Sequence, residues 1–253
     1  MTGHVHLTHL GQVAQVTLSH PGKFNAMSRA MWRELKTVFE DLQVRTDVRC
    51  VIVAGEGGHF CAGGDIAEYP DFRFDEAALR DFHEDAVWGG LGAMLACDLP
   101  LLAQIEGNCM GAGVEIASCC DIRVAGSGAR FGAPIAKLGF PMAPREAALV
   151  AREAGAATAR EMLLEAAVFD ATEMKARGFL NTVLPDGTLT PAVLARAQRI
   201  CALSPQAARL NKQALRATQG TTPAVSDGAY RYADSPEHRE GIAAFMAKRP
   251  AVF

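Results

Sequence analysis

Residues 101–126, LLAQIEGNCMGAGVEIASCCDIRVAG, decide the fold class. A short apolar run, LLAQI, ends in a turn carrying Gly107, Gly111 and Gly113. Residues 111 to 113 then open a helix, and DIRVAG forms the next short strand. Strand, glycine turn, helix and strand in such close succession mark an α/β chain. The same stretch raises a chemical question. Glu115 stands among small and apolar residues, where a carboxylate is costly to bury.

Working outward, QVAQVTLSH alternates polar and apolar residues from Gln12 to Leu18, as a half-buried strand does, and His20-Pro21-Gly22 ends it. Ser28 is suited to cap a helix in which Met31, Leu35, Val38, Phe39 and Leu42 recur at helical spacing. CVIVAG at 50–55 reads as a buried parallel strand, and LNTVLP at 180–185 supplies another. Asp170 with Glu173 forms the pattern of a capping box, while Ser204-Pro205 and Ser235-Pro236 each place a capping hydroxyl before a proline suited to the first helical position. From about Pro191 onward the pattern is helical only. The expected organisation is a core over 1–190 and a helical region over 191–253, packed together because no Gly/Ser linker separates them.

Composition excludes several function classes. The chain has 253 residues, 49% hydrophobic and 21% charged, an ordinary globular balance. No apolar run reaches membrane-spanning length, and MTGHVHLTHL lacks the basic-then-apolar order of a signal peptide, so a cytoplasmic protein is expected. A net charge of -3 without a basic block argues against a nucleic-acid surface. Seven cysteines, an odd number and never spaced C-x-x-C, indicate neither a disulfide framework nor a zinc site. His4, His6 and His9 do not keep a single strand period, which favours an exposed edge over a metal cluster. The metalloprotease H-E-x-x-H and the hydrolase G-x-S-x-G are both missing.

Two glycine-rich turns remain, in VIVAGEGGHFCAGGDIAEY and in the opening stretch. Neither contains G-x-G-x-x-G, which argues against a dinucleotide loop. Small residues let a ligand approach the backbone, and the start of a helix presents unpaired N–H groups, an arrangement that holds an oxyanion. The amides at 111–113 and those of the Ala62-Gly63-Gly64-Asp65 turn are the candidates. The same patterns also suit tight turns that merely feed packed helices.

FCAGGDI, GAGVEIASCCDIRVAG, ARFGAPIAKLGFP and HREGIAAFMAKRPAVF, in this order, resemble the crotonase family of enoyl-CoA hydratases and isomerases, as does HPGKFNAMS near the start. The resemblance implies a spiral of repeated ββα units, a C-terminal helical trimerisation region, and a homotrimer or dimer of trimers. It implies an acyl-CoA thioester as substrate, with coenzyme A part of the substrate and no separate cofactor. The thioester oxygen would lie between the amides of Gly64 and Ala112. Glu115 would face the acyl chain, as a general base toward water at the β-carbon or by taking a proton from the α- or γ-carbon.

The chain departs from the family pattern where hydratases carry a second glutamate, since Ile135 follows Pro134 and cannot transfer a proton. Beyond it, Pro141-Met142-Ala143-Pro144-Arg145-Glu146 replaces a glycine-rich run. Arg145 is a candidate for recognising a substrate carboxylate, and Glu146 and Lys137 are candidate proton carriers. His59 and Asp65 are expected to shape the first turn, beside Ala62. Lys23 and Lys248, with Arg249, are the positions the resemblance suggests for coenzyme A phosphates. Hydration or double-bond isomerisation is the expected chemistry. Decarboxylation of a functionalised acyl-CoA, or a CoA- or RNA-binding relative with little turnover, are the alternatives.

Overall fold

The computed structural model of the chain describes residues 2–217 and 230–253. The elements run β1 (His4–Leu10), β2 (Val13–Ser19), α1 (Arg29–Val44), β3 (Cys50–Gly55), α2 (Glu76–Asp81), α3 (Trp88–Ala96), β4 (Leu101–Ile105), β5 (Asn108–Met110), α4 (Ala112–Ser118), β6 (Ile122–Gly126), β7 (Arg130–Gly132), α5 (Pro144–Ala154), α6 (Ala156–Leu164), β8 (Val168–Asp170), α7 (Ala171–Ala176), β9 (Thr182–Leu184), α8 (Leu189–Cys201), α9 (Pro205–Ala217) and α10 (Pro236–Met246). A π-helical stretch over Phe82–Val87 joins α2 to α3, and 3-10 turns cover Ile66–Asp71 and Pro134–Leu138.

A six-stranded sheet has the order β1-β2-β3-β4-β6-β9, and a small sheet has the order β5-β7-β8. The larger one is parallel except for the β1–β2 hairpin. β4 and β6 each lie in the large sheet and are followed by a short strand of the small one, β5 or β7, which then leads to a helix. This repeat is the ββα unit. Alternation explains why CVIVAG is apolar throughout: Val51 and Val53 face one core, while Cys50, Ile52 and Ala54 face another. The first core is sealed by α1, whose Met31, Trp32, Leu35, Phe39 and Leu42 are buried and whose Ser28 hydroxyl accepts the Met31 N–H as N-cap.

The second core is sealed by α8 through Leu189, Val193, Ala197 and Cys201. The boundary drawn near Pro191 therefore falls inside α8. Proline is tolerated there because first-turn N–H groups have no intrahelical acceptor. The caps at Asp170 with Glu173, Ser204 and Ser235 form as their sequences suggest. His4, His6 and His9 are exposed on the edge strand, with His4 Nδ1 3.1 Å from Glu34. All seven cysteines are free and buried. Among the described residues no helix is long and apolar enough to cross a membrane.

Candidate active site

The two glycine turns meet because a backbone ladder joins them. The Cys61 N–H donates to the Asn108 carbonyl at 2.8 Å, and the Met110 N–H donates to the Cys61 carbonyl at 2.9 Å. Gly111 then takes φ 47° and ψ -110° as the residue before α4, a conformation that only glycine reaches cheaply. Gly113 is needed for closeness, since a Cβ there would stand 2.6 Å from the Cys61 carbonyl oxygen. Among the described residues neither the Gly64 nor the Ala112 N–H has an intramolecular acceptor. Gly64, Ala112, Ala62 and Glu115 all line one cavity of about 390 Å³.

The N-terminal HPGKFN segment braces the first turn. The Ala62 N–H donates to the Phe24 carbonyl at 3.0 Å, the Met27 N–H to Gly63 at 2.8 Å, and the Asp65 N–H to Met27 at 2.8 Å. Phe24 and Asn25 sit at φ 48° and 61°, a left-handed backbone costing on the order of 1–3 kcal/mol per strained residue. Asn25 offsets that cost: its carboxamide accepts from the His20 N–H and donates to the Glu56 and His59 carbonyls at 2.8 and 2.7 Å. His59 accepts the Asn108 N–H at 3.1 Å, and Asp65 caps the following 3-10 turn. Lys23 Nζ lies 2.6 Å from Asp65 Oδ2, so its charge is already neutralised. Lys23, Asp65 and Lys248 do not line the cavity.

Glu115 is 9% exposed, and its carboxyl has no hydrogen-bond partner among the described residues. Burial pushes its pKa up to about 8, with the Glu146 carboxylate adding to the rise. Helix-start stabilisation of the ionised form therefore loses to desolvation. Ile135 lines the cavity as an apolar wall, and Lys137 stands on it as an exposed cation.

Successive helical residues project about 100° apart, and this separates Arg145 from Glu146. Arg145 faces solvent, its Nε 3.3 Å from Glu84 and its guanidinium 5.3 Å from the Trp88 ring centroid, outside the cavity. Glu146 is buried, with Oε1 3.0 Å from Nδ1 of His83. His83 lines the cavity from the π-helical stretch, a local geometry that often accompanies functional positions. Sequence reasoning missed His83, whose carboxylate partner is 63 residues away.

Arg73 was missed as well. Its guanidinium carbon stands 3.7 Å from the Phe140 ring centroid and 4.4 Å from that of Tyr69, on the cavity wall. Its Nη1 is buried without a hydrogen-bond partner, and among the described residues no carboxylate lies within ion-pair distance. Burial lowers its pKa. An unmet buried donor ordinarily costs about 1–3 kcal/mol, more when charged.

The chain is similar to known proteins over nearly its whole length. The family model "Enoyl-CoA hydratase/isomerase" matches residues 9–253. The 2,3-dehydroadipyl-CoA hydratase of Escherichia coli K12 is 30% identical over 247 residues, covering 96% of this chain and 95% of its own. A crystal structure described as an enoyl-CoA hydratase/carnithine racemase from Magnetospirillum magneticum superposes with a TM-score of 0.94 at 37% identity, covering 98% of this chain and 94% of its own. Pseudomonas aeruginosa AtuE superposes with a TM-score of 0.90 at 30% identity, covering 98% of both chains. With a full-length family match and this fold, the chain belongs to the enoyl-CoA hydratase/isomerase family of the crotonase superfamily and is an enzyme of that family.

Proposed function

We propose that the enzyme hydrates the α,β-double bond of an acyl-CoA thioester, with the thioester oxygen held between the Gly64 and Ala112 amides. The observation that carries this reading is the convergence of those two unpaired N–H groups and the unpartnered Glu115 carboxyl on one cavity. Two fixed donors aimed at a developing oxyanion are worth about 2.7–4 kcal/mol each in comparable sites.

The raised Glu115 pKa alters the role expected from sequence. At neutral pH the buried carboxyl carries its proton, which suits it to protonate the α-carbon. His83, with Nδ1 against Glu146, keeps Nε2 free to take a proton from water as the oxygen bonds to the β-carbon. The π electrons pass to the thioester oxygen as an enolate and return when Glu115 delivers its proton. One proton is taken and one given, so the pair resets through solvent. His83 thus supplies the second proton carrier that Ile135 cannot be.

Double-bond isomerisation is a second reading, favoured by the apolar Ile135 wall: Glu115 alone, in the ionised form that gains population as the pH approaches 8, would take a γ-proton and return it to the α-carbon. A homotrimer or dimer of trimers in the cytoplasm belongs to the same proposal, supported by Phe245 and Met246 of α10, 79% and 75% exposed. Coenzyme A arrives with the substrate, so the chemistry calls for no other cofactor.

The test follows water uptake by mass and loss of conjugation by absorbance for a panel of enoyl-CoAs. Glu115→Gln and His83→Gln are each expected to lower hydration about 10²–10⁴-fold. Isomerisation that survives His83→Gln favours the second reading, and near-wild-type turnover of Glu115→Gln removes both.

A further inference from the structure

Two proton carriers and an apolar wall would suffice for an alkyl chain, yet the cavity wall also holds the Arg73 guanidinium with a buried, unpartnered nitrogen, whereas its other cation, Lys137, is exposed to solvent. Arg73 sits at the corner formed by the Phe140 and Tyr69 rings, which stand at 72° to each other, and among the described residues no carboxylate lies within ion-pair distance of it. The neighbouring arginines that are paired show the contrast, with Arg29 near Glu68 and Arg145 on Glu84. The cavity continues past Arg73 into a lobe walled by Ile66, Leu79, Leu138 and Met142, with no carboxylate on its lining. A guanidinium stacked on aromatic faces keeps its in-plane donors free for a planar, two-oxygen acceptor.

Its distance from the reacting carbonyl fixes which part of a substrate it can meet. A Cβ on Gly64 would collide with the Tyr69 hydroxyl, so that hydroxyl abuts the oxyanion turn. Arg73 Cζ, 4.4 Å from the Tyr69 ring centroid, is then within about 7 Å of the hydroxyl. An extended acyl chain covers such a span in about four to eight carbons, whereas the first phosphate of coenzyme A is about 15 Å from the sulfur along an extended pantetheine arm.

We propose that Arg73 is a specificity-determining residue that pairs with a carboxylate at the far end of the acyl chain, making a carboxylated acyl-CoA of short to medium length the preferred substrate. This rests on the acyl-CoA reading above and names the substrate class of that site. Bound substrate meets the guanidinium where Arg73 lines the cavity and neutralises its charge. The protonated Glu115 adds no negative charge to repel the incoming carboxylate.

The deciding experiment measures binding without turnover, so its outcome does not depend on which reaction the enzyme performs. Saturated six-carbon CoA thioesters, one ending in a carboxylate and one in a methyl group, are titrated into the full-length wild type, Arg73→Gln and Arg73→Lys by calorimetry, with free coenzyme A as a third ligand. The wild type is expected to favour the carboxylate thioester at least about 10-fold. In Arg73→Gln the two affinities converge, and Arg73→Lys recovers part of the difference because charge returns without the planar fork. Equal wild-type affinities overturn the proposal, as does a preference that persists in Arg73→Gln. A loss in Arg73→Gln that is equal for all three ligands assigns the guanidinium to the coenzyme A phosphates and also overturns it. Binding of neither thioester to the wild type overturns the acyl-CoA reading itself, and this inference with it.

Discussion

Replacing Glu115 with glutamine removes one proton-binding group from the interior while keeping its volume, so its effect on folding is an effect of charge. The ordinary carboxyl value of 4.5 rises to about 8 in the folded chain, because desolvation disfavours the ionised form. With the folded value raised, Glu115 contributes its full stabilisation below about pH 4.5, and this is lost as pH climbs toward 8. Each unit of pH in that window removes about 1.4 kcal/mol, as much as about 5 kcal/mol in all. Other carboxylates titrate too, but they are common to wild type and Glu115→Gln and cancel in the difference. Urea unfolding of both proteins at one fixed concentration, from about pH 5 to about pH 9, measures that difference. The stability of the wild type relative to the variant should fall steadily and level off above about pH 8. A flat difference throughout would show that Glu115 is ionised or hydrated in the folded protein, and would remove the argument for it as a proton donor. The same titration should appear in catalysis, with hydration declining as the pH passes about 8 and Glu115 loses its proton.

Gly113→Ala should cost about 1–3 kcal/mol and reduce turnover together, because the new methyl group meets the Cys61 carbonyl oxygen at 2.6 Å and must push α4 and the Ala112 amide away. Wild-type stability by denaturant unfolding would contradict the close approach. Arg145→Ala should change stability by less than about 1 kcal/mol and leave kcat/KM within about twofold, since its pair with Glu84 is exposed on both sides. A tenfold fall in kcat/KM would place the guanidinium in the pocket after all.

What was legible in the sequence was local. The Ser28 cap, the Asp170–Glu173 box, the alternation in β2 and the unbroken apolar run of β3 are each decided within a few residues, and the structure realises them. The glycine turns are legible for a similar reason, because a positive φ and a close approach leave only one residue type. The remainder depends on contacts between distant segments. His83 acquires its partner across 63 residues, and Arg73 matters only because Phe140 and Tyr69 close on it from separate segments. Arg145 and Glu146 are neighbours in sequence, and the rotation of α5 alone decides which one enters the interior. His20-Pro21-Gly22 read as the end of a strand and HPGKFNAMS as part of a resemblance, whereas the left-handed pair Phe24 and Asn25 helps brace the Ala62–Asp65 turn.

The rung between Cys61 and Cys109 has an evolutionary corollary. The two hydrogens proposed to grip the thioester are positioned by peptide groups in a shared ladder, so they form a fixture that owes nothing to the chemistry of neighbouring side chains. Side chains on the cavity wall, such as Ile135, Pro141 and Met142, can then be exchanged to admit a different acyl group while those two hydrogens stay where the ladder puts them.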